Sequence, residues 1–179
     1  NRWPSFMVKN KIVLISIIAA IIIGGFFLYR FIFPSTERQI IRRLNNLIEE
    51  ISFARTENER GQLSSALWSE RLVKYFTEDI VATLEDVDGQ NWSLNGRERL
   101  KQTMLAARSQ LELLEVAMSD PVALVKSSIV GQATVTITAR WREDELDSNS
   151  WIREVAFELV KRDRQWLVTK AVSVPVIKR

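Results

Sequence analysis

The chain contains no cysteine and no histidine, and only four prolines and six glycines in 179 residues. Without Cys there is no disulfide framework, no thiolate nucleophile, no Fe–S cluster and no Cys-based zinc site. Without His there is no Ser-His-Asp triad, no imidazole base and no imidazole metal ligand, which removes the commonest catalytic devices at neutral pH. The missing cysteines leave the redox compartment open, because such a chain is indifferent to it. Gly-rich phosphate loops, Walker motifs and dinucleotide fingerprints are also missing, so no cofactor is expected. Two acidic groups, Glu49, Glu50 and Glu57 on one side and Glu143, Asp144, Glu145 and Asp147 on the other, lack EF-hand spacing and its glycine. They read as solvated charge, and no metal is expected.

What is present starts with an uneven charge. Of 25 Lys and Arg, four (Arg2, Lys9, Lys11 and Arg30) lie in residues 1–33 with no acid, which leaves 21 against all 22 Asp and Glu in residues 34–179. The basic isoelectric point near 9.4 therefore belongs to the N-terminal segment. The rest is nearly neutral and offers little for counterion release, so nucleic acid is not an expected partner.

That segment reads as a membrane span. Residues 12–28, IVLISIIAAIIIGGFFL, carry Ser16 as their only polar side chain, and Phe31, Ile32 and Phe33 extend the apolar stretch past Tyr29 and Arg30. A bilayer core of about 30 Å needs about 20 apolar residues, with Arg30 snorkelling to the headgroups. Trp3, Phe6 and Tyr29 fall where interfacial aromatics belong. The run exceeds the about 7–15 residues of a signal-peptide core and no A-x-A site follows, so it is expected to be an uncleaved anchor. The chain begins at Asn1 and not Met, so an upstream segment is expected to have been removed or left out. The organisation is then a tail over 1–11, a transmembrane helix over 12–33 and one domain over 34–179. A short basic tail retained inside, with the domain exported, places it in a bacterial inner membrane with the domain outside the cytoplasm.

Past Pro34, Ser35 or Thr36 can cap a helix, and Thr36 with Gln39 matches a capping box. Ile40, Leu44, Leu47, Ile48 and Ile51 then recur at helical spacing. Residues 57–62 read as a turn, and Leu63 to Phe76 as a second helix with Leu63, Ala66, Leu67, Val73 and Phe76 on one side. Val81–Asp86, the dipeptide Asp88-Gly89 and Trp92–Leu94 form a hairpin pattern. Arg97–Ser109 predicts a third helix with Leu100, Met104 and Ala107 inward. Strands follow at Leu111–Met118, ending at Asp120-Pro121, then at Ser127–Trp141, Trp151–Val160 and Trp166–Val174. In the second of these Val135, Ile137, Ala139 and Trp141 alternate with Thr134, Thr136, Thr138 and Arg140. The fold class is α+β: a curved antiparallel sheet covered by three helices, cone-like, behind one transmembrane helix.

This order over residues 36–176 resembles the nuclear transport factor 2-like superfamily, which includes SnoaL-like and ketosteroid isomerase-like proteins. The residues that carry it are Asp88-Gly89, the Leu94-Asn95-Gly96-Arg97-Glu98 step into the third helix, the Val135–Trp141 strand, and the closing Phe157–Arg162 and Gln165–Val168. The resemblance implies a cone-shaped domain, and for family enzymes a Tyr, Asp or His constellation inside the cone. Here only Tyr29 and Tyr75 exist, and Asp79, Glu85 and Asp86 are the candidate pocket carboxylates. The plan, one N-terminal span joined to such a domain, resembles the inner-membrane component of type IV secretion systems.

Candidate contact residues are Arg38, Arg42 and Arg43, which follow the span and suit anionic lipid heads or a neighbouring subunit, and Trp68, Trp92 and Trp151, placed beside turns or on helix faces. Trp141 and Trp166 fall on strands and read as core. The expected function is a membrane-anchored, non-enzymatic interaction module, an accessory or assembly subunit of a larger membrane complex whose partners are integral membrane subunits, the bilayer or further copies of itself. The alternative is a tethered enzyme or small-ligand binder using the cone cavity.

Overall fold

A computed structural model describes residues 35–54, 62–85, 89–143 and 148–174. The apolar run over 12–33 lies outside the described residues, as do Glu57, Asp86, Asp88, residues 144–147 and Pro175. Among the described residues no helix is long and apolar enough to cross a membrane.

Helix α1, Thr36–Ile51, begins directly after Ser35, which places Ser35 at the N-cap position. Its Ile40, Leu44, Leu47 and Ile48 stripe is buried as the spacing predicts. Each such side chain contributes about 1.5–3 kcal/mol by leaving water, which is why this stripe fixes the helix against the sheet. A two-residue strand, β1 (Phe53–Ala54), precedes helix α2 (Gln62–Leu72).

The second helix is shorter and differently phased than its sequence suggests. It ends at Leu72, a 3-10 turn spans Val73–Tyr75, and Phe76 already opens strand β2 (Phe76–Glu85). Ala66 and Leu67 are exposed, and Trp68, Ser69 and Leu72 are buried instead. The apolar residues of this segment are divided between two opposite faces, Ala66 and Leu67 on one and Trp68 and Leu72 on the other, and the face carrying the indole turns inward because it buries the most area.

Strand β3 (Asn91–Asn95) pairs antiparallel with β2, Glu85 opposite Asn91, so the hairpin is as read. Gly89, at φ +79, sits in its connection, where glycine adopts the left-handed region without strain. Helix α3 runs Arg97–Gln110 with Leu100 buried and Met104 and Ala107 half-buried.

Strand β4, Leu113–Val125, does not stop at Asp120-Pro121. The register against β5 slips between Ser119 and Val122, and Asp120 has φ +51. A bulge there absorbs the proline, which lacks the N–H an unbroken ladder would require. Strands β5 (Val130–Arg142), β6 (Asn149–Arg162) and β7 (Gln165–Val174) complete the sheet in the order β1-β4-β5-β6-β7-β2-β3. One pair departs from the expected antiparallel plan: β2 runs parallel to β7, with Ala82 opposite Ala171.

The three helices serve one face of this sheet. Between them lie Ile40, Leu44 and Leu47 of α1, Trp68 and Leu72 of α2, and an inner row that includes Ile80, Val135, Phe157, Leu159, Trp166 and Val168. The opposite face keeps Val122, Leu124 and Ile152 exposed beside Thr134, Gln132 and Thr138, their register partners on β5.

Candidate functional site

Among the described residues, the space between helices and sheet is lined by buried apolar side chains. Ile40, Ile80 and Leu159 are fully buried, and Val135, Val168, Leu44 and Leu72 are nearly so. The buried polar side chains among the described residues are Ser69 and Thr77. The Ser69 hydroxyl donates back to the Ala66 carbonyl at 2.8 Å, and the Thr77 hydroxyl to the Val168 carbonyl at 3.5 Å. Ser69 is spent on backbone, and the Thr77 hydroxyl reaches both the Val168 carbonyl and the exposed Asp79 carboxylate.

The carboxylates expected at a pocket mouth stand elsewhere. Asp79 is exposed, and a hydrogen bond from Thr77 holds its carboxyl below the usual range, the reverse of the raised value a buried acid catalyst needs. Glu85 is half-buried at the end of β2, where Arg153 approaches its carboxylate at 3.4 Å. Asp86 lies outside the described residues. Asp79 and Glu85 are therefore not brought together in an apolar pocket. Among the described residues no group of acids is arranged to hold a metal ion.

The tryptophans and arginines sort differently from the sequence expectation. Trp68 is 4% exposed, and its indole N–H donates to the Glu50 carbonyl at 2.6 Å, so it ties α2 to the end of α1 and offers no ring to a partner. Trp151 sits within strand β6, which starts two residues earlier than expected, at Asn149. It is half-buried against the core and donates to the Glu85 carbonyl at 2.9 Å. Trp92, on β3, is exposed. Arg43 turns inward: its Nε donates to the Trp166 carbonyl at 3.0 Å, its Nη2 to the Lys74 carbonyl at 2.7 Å, and its guanidinium lies 3.9 Å from the Tyr75 ring centre. Burial lowers its pKa from the ordinary Arg value, as expected for a cation part-way out of water. Arg38 and Arg42 remain exposed.

A hollow of about 600 Å³ opens on the helix side, walled by Glu49, Glu50, Phe53, Trp68, Arg71 and Arg108 among others. Arg71 Nε donates to Glu50 Oε1 at 2.7 Å. The Arg108 guanidinium stacks 4.7 Å from the Phe53 ring centre and 4.8 Å from that of Trp68, and the two rings meet edge to face at 6.0 Å. Such a set can hold a small polar or anionic group. Nothing local in the sequence announces it, since Phe53, Trp68 and Arg108 come from three separate elements.

The geometry is that of the nuclear transport factor 2-like cone, and solved structures agree. The chain is similar to a ketosteroid isomerase-like protein from Erwinia carotovora atroseptica (10% identity, 79% of this chain and 96% of that one, TM-score 0.56). It is also similar to a type 2 hexachlorocyclohexane dehydrochlorinase (12% identity, 78% and 84%, TM-score 0.58) and to the association domain of C. elegans CaMKII (9% identity, 76% and 93%, TM-score 0.54). Identities this low carry the fold alone, and these neighbours include both an enzyme and an association domain. No protein-family model and no curated protein matches the sequence.

Proposed function

We propose that this chain is a membrane-anchored, non-enzymatic interaction module, an accessory or assembly subunit of a larger membrane protein complex. The observation that carries the reading is the interior of the cone: among the described residues it is packed with Leu, Ile, Val, Phe and Trp, and its buried hydroxyls bond backbone carbonyls and, for Thr77, the exposed Asp79 carboxylate. A domain built this way has its free chemistry on the outside. The outer sheet face supports the same reading, because Val122, Leu124 and Ile152 are 68%, 61% and 56% exposed there, and apolar side chains left in water favour a protein partner. The partner is another polypeptide held in the same bacterial inner membrane, a second copy included, and the run over residues 12–33 supplies the anchor.

The hollow beside Arg71 and Arg108 favours a second reading, a tethered binder of a small polar ligand. Native mass spectrometry of the detergent-purified chain separates the two. Under the first reading the protein carries no adduct, and a retained small molecule that Arg108→Ala removes supports the second.

The anchor has its own test. Wild-type protein resists alkaline carbonate extraction, and Ile22→Arg is lost to the soluble fraction or mislocalised, because a central charge costs about 2.5–3.5 kcal/mol even by the mildest insertion scale. Wild-type protein released by carbonate contradicts the anchor.

A further inference from the structure

One end of the folded domain gathers basic residues that are far apart in the chain. The first turns of α1 bring Arg38 and Arg42 there, the β4–β5 turn brings Lys126, the end of β6 brings Lys161 and Arg162, and the β6–β7 turn brings Arg164. These elements are joined to one another: Lys161 N donates to the Ile129 carbonyl at 2.8 Å, Lys161 Nζ approaches Gln39 Oε1 at 3.5 Å, and Ile40 packs beneath Gly131. Five of the six bases are exposed and Lys161 is half-buried. Among the described residues the acids at this end are Glu37 and Asp163, with Asp79 set back against Arg162. Ile129 tips the β4–β5 turn at 58% exposure. At the far end of the sheet the arrangement is different, since Arg153 meets Glu85 at 3.4 Å and Arg142 meets Glu112 at 3.8 Å. The domain is nearly neutral as a whole, so these bases make a local excess of positive charge at this end.

We infer that this basic end, with Ile129 at its tip, rests on the anionic headgroups of the bilayer. The inference rests on the reading of residues 12–33 as a span. From Phe33 to Thr36 the covalent reach is at most about 11 Å, so the first turn of α1 begins close to the end of the apolar run. Lipid headgroups supply the complementary charge, and basic side chains within a Debye length of about 10 Å gain from them at moderate salt. An exposed isoleucine between the bases suits insertion at the headgroup–acyl boundary. The bilayer contact then fixes the orientation of the domain and leaves the outer sheet face turned to the side, open to a protein.

The absence of cysteine makes the test direct. Full-length Ser128→Cys and Asn149→Cys, at the basic end and the far end of the sheet, each carry a single fluorophore. Both are reconstituted into protein-free vesicles of phosphatidylcholine with or without phosphatidylglycerol, with a quencher on a fraction of headgroups. The expected result is quenching several-fold stronger at Ser128 than at Asn149 in the anionic vesicles, with the contrast reduced by high salt and by Lys126→Glu with Arg164→Glu. Thermal melts of the charge-reversed variant check that it is folded, and Arg42→Glu provides a second reversal if it is not. Equal quenching at the two sites overturns the inference. So does a contrast indifferent to phosphatidylglycerol, which a tether alone produces, or one seen in native membranes and not in pure lipid, which assigns this end to a protein. Carbonate extraction of the same vesicles reports the anchor separately: release there contradicts the span, whatever the quenching shows.

Discussion

Trp68 and Trp166 are equally buried, at 4% and 3%, but only one satisfies its indole N–H. Trp68 donates to the Glu50 carbonyl, whereas Trp166 Nε1 finds no acceptor among the described residues. Both lose the same volume on replacement by Phe. Trp68→Phe is therefore expected to cost about 1 kcal/mol more than Trp166→Phe in chemical denaturation, because it loses a hydrogen bond to a part-buried carbonyl while the other removes an unpaired donor. Equal costs would show that the hydrogen bond does not matter. Gly131 offers a second test at this scale. A Cβ there would stand 2.5 Å from Ile40 Cδ1, so Gly131→Ala is expected to destabilise by about 1–3 kcal/mol through overpacking. Ile40→Val removes that methyl, and the double variant should be more stable than the two single costs added together. Strict additivity contradicts the clash. Neither contact was legible beforehand. Sequence marked Trp68 as available to a partner because nothing within the helix reveals that the end of α1 waits above it.

At the scale of elements, periodicity was informative wherever one face is continuously buried. The α1 stripe recurs in the structure as buried Ile40, Leu44 and Leu47, and the alternation in β5 as buried Val135 and Ile137, while Ala139 and Trp141, expected on the same side and the latter in the core, are only half-buried. It misled where long-range packing decides, in the phase of α2 and in the continuation of β4 through its bulge. Helices α2 and α3 are clipped by an ion pair between Glu70 and Lys101. The hydrogen bond from Lys101 lowers the Glu70 pKa, and the same bond raises that of Lys101. A depressed carboxyl contributes stability above its unfolded pKa and loses it as pH falls through the folded value. A raised ammonium contributes below its unfolded pKa and loses it as pH rises through the folded one. With no histidine to titrate between about pH 5 and 8, the thermal midpoint should be flat from about pH 5 to 10 and fall on both sides. Glu70→Gln should shallow both limbs slightly, since Glu70 is exposed and screened. A midpoint that varies strongly between pH 6 and 8 would contradict this.

For the molecule as a whole, topology makes surfaces that no single segment contains. The sequence shows Arg38, Arg42 and Arg43 as a cluster, yet folding turns Arg43 inward onto Tyr75 and replaces it with Lys126, Lys161, Arg162 and Arg164 from two distant turns. The apolar outer face is equally indirect. In the sequence Val122 and Leu124 fall between two expected strands and Ile152 lies in a third, and only the continuation of β4 and the helices on the other side leave them exposed on one face. The central claim is that this domain works by contact through that face. Site-specific photo-crosslinking in membranes tests it most directly, with a photoreactive residue in place of Leu124, Ile152 or, in the hollow, Tyr75. The account predicts covalent adducts to a second polypeptide from Leu124 and Ile152 and none from Tyr75. Adducts from Tyr75 alone, or an outer face that crosslinks to nothing, would contradict it.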